Sequence, residues 1–436
     1  MKIFISFLLC ILFLNAFSQQ DEILLERALY NLPNVSFKKI SEPGEPFLKY
    51  DLFIKQPLDH SNPGKGYFNQ RVILTHNGFN RPTVMQTQGY QLPDMDQRGE
   101  IDKLCDANKL NIEHRFFGRS VPDSMQWNYL NEEQATADLH TINQLFRNIY
   151  MGKWISTGVS KGGSTTIYYK YFFPADVDLS IPYVAPLDNS LEDERIYAFL
   201  DTTNSPDCRN KIKEFQLFLL KHENEAIEKL KWYSKAVNAH YGYTGSIGKS
   251  FEYAVLEYSF AFWQYYATNN CDSIPVNNSL DDYLSALLKT SNILSFSDER
   301  IKFYESHYYQ AATECGYYGY NIQPLKKYLH YFTENPSAAF PPKLITIKAF
   351  DATLNQKVQK WLAENGNNMI YIYGGYDTWT SAGIMPSDKV NAKRFVIPKT
   401  NHATARVKNM DIATQQHFIQ TINKMAGIDA TIEAIK

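Results

Sequence analysis

The heptapeptide Thr157-Gly-Val-Ser160-Lys-Gly-Gly163 constrains this chain more than any other segment. It links the apolar run that starts at Trp154 to a helix-compatible stretch through a Gly-x-Ser-x-Gly turn. A serine in such a turn sits between strand and helix with its hydroxyl exposed, and a glycine at 163 lets the helix pack closely on the strand. The segment therefore predicts a strand, a sharp turn and a helix that together present a nucleophile.

The periodicities on either side agree with that unit. Tyr50–Lys55 and Phe68–Leu74 read as two antiparallel strands, separated by Pro57, Asn62, Pro63 and Gly64. Thr83–Gly89 and Lys109–Glu113 are further strands, and Ala135, Leu139, Ile142, Leu145 and Phe146 set a helical period over 131–149. Gly162–Phe173 reads as a helix stopped by Pro174, and Val177–Val184 as a strand. Late in the chain Asn368–Gly374 and Arg394–Pro398 are strands, and Asp411–Met425 is a closing helix. Strands alternating with helices imply the α/β class: a mostly parallel sheet covered by helices on both faces, with the site at the carboxyl ends of the strands. From 187 to 340 the pattern changes to long helical periods (Lys211–Ala236, Phe251–Tyr266, Ser279–Leu288) rich in Tyr, Phe and Trp. The expected organisation is a signal peptide at 1–18, a first hydrolase part at 19–186, an inserted helical lid at 187–340 and a second hydrolase part at 341–436.

The signal peptide is read from Lys2, the apolar run Ile3 to Leu14 and the pattern Ala16-Phe17-Ser18 before Gln19. That run is too short for the ~20 apolar residues of a membrane span. Cys10 follows Leu9 rather than a small residue, which argues against a lipid anchor. Export to periplasm or medium is expected, with no membrane partner. Cys105, Cys208, Cys271 and Cys315 contain no Cys-x-x-Cys pair, which argues against zinc and permits disulfides. A bridge within the middle region is expected, leaving Cys105 free and buried. A formal charge of −2 gives no electrostatic reason to expect nucleic acid.

A serine hydroxyl becomes a strong nucleophile when a histidine takes its proton and a carboxylate orients that histidine. In the chain order Ser, Asp, His, the acid and base fall after late strands. Asp377 follows Tyr373-Gly-Gly375, and His402 follows Phe395-Val-Ile. The other histidine beyond Asp377, His417, lies within the closing helix. The oxyanion of the tetrahedral intermediate needs backbone donors, here the N–H of Lys161, with its side chain turned to solvent, and that of Tyr90, with Gly89 as the alternative. Glu113, Arg115 and Arg119 end a neighbouring strand, where they serve either a structural ion pair or a substrate terminus. No metal or nucleotide motif is present, so no cofactor is expected.

Several segments resemble a known family: Asp59-His-Ser-Asn-Pro63, Glu113-His-Arg-Phe-Phe-Gly118, Glu133-Gln-Ala-x-Ala-Asp138, Gly158-Val-Ser-Lys-Gly-Gly163 and Pro206-Asp-Cys-Arg209. They are similar to the secreted tripeptidyl aminopeptidases that prefer proline at the cleavage site, relatives of lysosomal prolylcarboxypeptidase and dipeptidyl peptidase. The resemblance runs over nearly the whole mature chain and implies an α/β-hydrolase fold with Ser160 as nucleophile, Asp377 as acid and His402 as base. It also implies release of short peptides, chiefly tripeptides, from free amino termini, with a proline ring in an apolar pocket supplied by the aromatic lid and Trp379. Glu113, Glu192, Asp193 or Glu194 would hold the terminal ammonium. Two positions depart from the family pattern, Thr378 in place of proline and Ala403 in place of glycine. The rival readings are an esterase or lipase, a carboxypeptidase using Arg115 or Arg119, and a non-catalytic hydrolase-like binding protein. Oligomeric state stays open.

Overall fold

The pattern of side chains decides which strands lie deep. Trp154–Val159 and Met369–Gly374 are buried along almost their whole length, as expected of central strands covered on both faces. Leu48–Pro57 instead alternates buried and half-exposed positions with the period of two that a strand imposes. In the computed structural model, which describes residues 20–42, 45–93, 96–266 and 271–435, these strands belong to one nine-stranded sheet. The predicted signal peptide and Cys10 lie outside the described residues.

In chain order the strands are β1 Val35–Lys39, β2 Leu48–Pro57, β3 Tyr67–His76, β4 Thr83–Thr87, β5 Asn108–Ile112, β6 Trp154–Val159, β7 Leu179–Tyr183, β8 Met369–Gly374 and β9 Ala392–Ile397. Their spatial order is β1-β2-β3-β5-β4-β6-β7-β8-β9. β1·β2, β2·β3 and β3·β5 run antiparallel, whereas β4·β5, β4·β6 and β8·β9 run parallel. Because β4 lies between β5 and β6, the chain leaving β5 crosses over through the helix Glu132–Arg147 before returning as β6. That helix starts where the Asn131 side chain accepts the N–H of Gln134 at 2.9 Å. The topology, with a helix entered directly from the serine turn after β6, is the α/β-hydrolase fold.

Two compact units are distinguished. The first comprises the described residues up to Gly158, Thr165–Ser180 and the residues from Ile412 on; the second comprises Val159–Ser164 and Ile181–Asp411. The core of the first packs Leu52, Leu74, Met85, Leu110, Ile142 and Trp154 with Leu25 and Leu29 of a helix over 20–30. The core of the second is aromatic, including Phe215, Phe251, Tyr258, Phe260, Trp263, Tyr318, Tyr320 and Trp379. The stretch expected as a lid contributes the helices Arg195–Thr202, Pro206–Lys221, Glu223–Ala236, Ile247–Ala261 and Leu280–Thr290, and it groups with the serine turn, β8 and β9.

The helical period read as one run over Lys211–Ala236 is two helices. At His222 φ −110 and ψ 22 leave helical geometry, so the chain turns there. A disulfide joins Cys208 to Cys271 within the middle region, and Cys105 is a buried thiol. Among the described residues no helix is long and apolar enough to cross a membrane.

Candidate active site

Ser160 terminates β6 with φ +59, a left-handed conformation that side chains with a Cβ rarely adopt. The turn is held on both sides of the serine: Ser160 N–H donates to Tyr183 O at 2.9 Å, and Ser164 N–H donates back to Ser160 O at 2.9 Å. Ser164 Oγ donates to Pro186 O at 2.7 Å. Strain of this kind persists where surrounding contacts over-determine it, and here it lifts the hydroxyl out of the line of the strand.

Asp377 and His402 come from the loops after β8 and β9. His402 Nδ1 lies 2.8 Å from Asp377 Oδ2, and Asp377 Oδ1 accepts the Trp379 N–H at 3.2 Å. Both side chains are buried. The acid thus fixes the tautomer that carries its proton on Nδ1, which leaves Nε2 as the basic nitrogen. Nε2 is buried without a hydrogen-bond partner among the described residues, a costly state for a polar atom unless it has a task.

The two loops are laced together. Gly375 N–H donates to Ile397 O at 2.9 Å and Tyr376 N–H to Thr400 O at 2.9 Å. A Cβ on Gly374 would stand 2.6 Å from Thr400 O and 3.0 Å from Asn401 O, so the close approach requires glycine there. The base loop is tied a second time to the π-helical turn Phe262–Tyr266, where a helix runs out of its own donors. Its free carbonyls serve the loop: His402 N–H donates to Gln264 O at 3.0 Å and Asn401 Nδ2 to Tyr265 O at 2.8 Å.

The two departures from the family pattern are absorbed. Thr378 occupies the first position of a 3-10 turn, where proline is equally at home, and its hydroxyl donates to Phe260 O at 3.3 Å. Ala403 is exposed, so its methyl group meets no obstacle.

The other expected site residues fare differently. Lys161 follows Ser160 directly, but its side chain is buried rather than turned to solvent, with its charge felt by the buried His307. Gly89 and Tyr90 follow β4 in the first unit, where Thr87 Oγ1 donates to Thr157 O at 3.2 Å and Tyr90 O accepts the His114 N–H at 3.2 Å. Trp379 is buried against Phe260, Tyr317 and Tyr318, with ring centroids 5.2 to 5.6 Å away.

Of the residues expected to recognise a terminus, several are engaged within the fold. The buried carboxylate of Glu113 is consumed by the Leu92 and Arg119 N–H groups, each at 2.9 Å, and by Ser120 Oγ at 2.7 Å. It shapes the 113–120 loop, in which Gly118 has φ +54 and a Cβ would strike Glu113 Oε1 at 2.3 Å. Asp193 accepts from Asn189 N and from the Arg195 backbone and guanidinium, which hold its carboxyl below its usual pKa despite burial. Glu194 is exposed, whereas Glu192 is partly buried beside Gly319 and Tyr197, and that desolvation raises its carboxyl. Arg115, the cation a carboxypeptidase would need, is buried and grips Asp138 through Nε at 2.7 Å and Nη2 at 2.8 Å, with His60 completing the cluster. Arg119 pairs with Asp51.

One residue went unseen in the sequence. Glu257, on Ile247–Ala261, accepts hydrogen bonds from Tyr318 and Tyr320 and lines a cavity. Its only sequence signal was a carboxylate amid an aromatic helix. Among the described residues Glu223, Glu252 and His330 bring three possible metal-ligand atoms within 4.8 Å. Glu223 already bonds the His330 ring, and Glu252 accepts the His330 and Tyr331 N–H groups, so the trio closes on itself.

The family described as PS-10 peptidase S37 matches residues 22–429. A prolyl tri/tetrapeptidyl aminopeptidase from Streptomyces mobaraensis is 30% identical over 381 residues, covering 86% of this chain and 80% of that protein. Among solved structures, a proline iminopeptidase from Mycobacterium smegmatis is similar at TM-score 0.39 and 10% identity, covering 86% of this chain and 98% of that one. An α/β-fold hydrolase from Bacillus anthracis is similar at TM-score 0.35 and 13% identity, covering 89% of this chain and 99% of that one.

Proposed function

The chain belongs to the PS-10 peptidase S37 family and is a serine peptidase, and from that premise we propose that it is an exported aminopeptidase releasing short peptides, chiefly tripeptides, from free amino termini after proline. The observation that carries the reading is the buried His402–Asp377 pair at 2.8 Å, its outer nitrogen unpartnered, in the same unit as the strained Ser160.

In this mechanism His402 Nε2 takes the proton of Ser160 Oγ as that oxygen attacks the scissile carbonyl. Asp377 stabilises the resulting imidazolium and keeps its orientation. The oxyanion accepts from the Lys161 N–H, a donor worth about 3 to 4 kcal/mol. His402 then protonates the leaving amine, and the peptide bond breaks to leave an ester on Ser160. A water molecule, giving its proton to His402, attacks that ester and frees the released peptide's carboxylate. The aromatic wall of Trp379, Phe260 and Tyr318 suits a proline ring. The relative from Streptomyces mobaraensis is named for prolyl tri/tetrapeptidyl release, which supports the same substrate class here.

The test is anilide release from a free tripeptide ending in proline and from its amino-blocked twin, with wild-type protein and Ser160→Ala. Cleavage of the free form alone, abolished by the substitution, is expected. Equal cleavage of both would overturn the aminopeptidase reading. Export is tested by sequencing the amino terminus of the protein recovered outside the cytoplasm, where a start at Gln19 is expected.

A further inference from the structure

We propose that the cavity around Glu257 is the subsite for the substrate's terminal ammonium group, with the Glu257 carboxylate as its counter-ion. The proposal rests on the aminopeptidase reading above and names the residue that would enforce it.

The cavity measures about 150 Å³, and its lining includes Glu257, Gln264, Tyr265, Tyr308, Tyr317 and Tyr318 together with small hydroxyl and apolar residues. Glu257 is the one carboxylate in that lining. Its oxygens accept from Tyr318 OH at 3.0 and 3.1 Å and from Tyr320 OH at 2.8 Å. The titratable groups facing it are all tyrosines: Tyr265 from the π-helical turn, Tyr308 from Glu305–Gln310, and Tyr318 and Tyr320 from the segment that follows. Among the described residues no lysine, arginine or histidine pairs with it. A desolvated carboxylate without a cation is costly to keep, and the fully buried acids considered for this task, Glu113 and Asp193, are already saturated by N–H groups, a hydroxyl or a guanidinium. Two phenolic donors hold the Glu257 carboxylate in place yet leave it lone pairs for a further donor.

One wall of the cavity meets the loop of His402, and another leads through His307 toward Lys161. Gln264 and Tyr265 form one wall; Gln264 O accepts the His402 N–H at 3.0 Å, and the Tyr265 ring centroid lies 5.7 Å from that of His402. Tyr317 forms another wall and packs on His307 at 5.1 Å, whose ring feels the charge of Lys161, the neighbour of Ser160. A cationic amine entering here would complete an ion pair shielded from water, whereas an acylated amine would bury the carboxylate unmatched. Burial pushes the empty-site carboxyl up to about 7, so an arriving ammonium also displaces a proton at or below neutral pH.

The experiment compares wild type with E257Q on the free tripeptide anilide and its N-acetyl twin, with fluorophosphonate labelling of Ser160 as the report of an intact fold. Glutamine keeps the size of the side chain and can still accept from both tyrosines. E257Q is expected to lower kcat/KM on the free substrate by at least about 30-fold and to bring the two substrates close to parity. It should also remove the acid limb near pH 7 from the free-substrate profile. A wild type that prefers the free substrate, with that preference intact in a normally labelled E257Q, overturns the subsite while sparing the aminopeptidase reading. A wild type with no preference overturns both.

Discussion

His402 and Asp377 are 25 residues apart in sequence, and Nδ1 of the one lies 2.8 Å from Oδ2 of the other, both buried. The contact depends on two strand ends delivering their loops to the same point, and on glycine at 374 letting those loops touch.

Asp377→Asn preserves shape but lets the amide donate to Nδ1, which favours the tautomer with its proton on Nε2. The expected result is a fall in kcat of about 10⁴-fold with little change in Tm, read from steady-state kinetics and a thermal melt. A variant retaining near wild-type kcat would remove Asp377 from the mechanism.

Gly374→Ala places a methyl group against Thr400 O and Asn401 O. The base loop must shift, and a displacement near 1 Å is expected to lower kcat by about 100-fold. The matching measurement is kcat/KM alongside the fluorophosphonate labelling rate, both of which should fall together.

Arg115→Met leaves Asp138 buried with His60 as its remaining ionisable partner. Breaking such a pair costs about 3 to 5 kcal/mol, so chemical denaturation should show a large loss of stability. The preference for free over blocked amino termini should persist, because this cluster braces the first unit and does not meet substrate.

The Cys208–Cys271 bridge spans a sequence separation of 63. Loop-closure entropy for that length is worth about 4 kcal/mol. The Cys208→Ser, Cys271→Ser double variant should melt earlier than wild type, whose own Tm should drop to meet it once reductant is added.

Glu257 also links pH to stability. Its carboxyl is raised to about 7 in the folded protein, above the unfolded value of about 4.3, so the folded state binds the extra proton between those limits. Its contribution is most favourable below the unfolded value and is lost as pH rises through about 7. E257Q should therefore gain Tm relative to wild type at pH 8 and lose most of that advantage at pH 5.

Much of the architecture was legible because β8 is a continuous apolar run, because β6 leads straight into the Gly-x-Ser-x-Gly turn, and because helices such as Glu132–Arg147 carry a clear period with a capping asparagine. The helix over 20–30 and β1 were not, since they follow closely on the stretch expected as a signal peptide and β1 is largely exposed. The order Ser160, Asp377, His402 could be read from strand ends, and the structure gathers all three in one unit. The terminus-binding residue could not. Glu113 and Asp193 look available in sequence, and only the backbone N–H groups that fold around them reveal them as taken. Glu257 reads as an ordinary helical acid until Tyr318 and Tyr320, about sixty positions later, close over it. Lys161 looks solvated for the same reason, since His307, the buried ring that feels its charge, lies far along the chain.

The most direct test of the central claim is to treat the folded protein with a fluorophosphonate and locate the adduct by peptide mass mapping. A single adduct on Ser160, absent from Ser160→Ala and formed far more slowly in His402→Ala, is the predicted result. A folded protein that takes no label, or takes it at another serine, would contradict the assignment of Ser160 as the activated nucleophile.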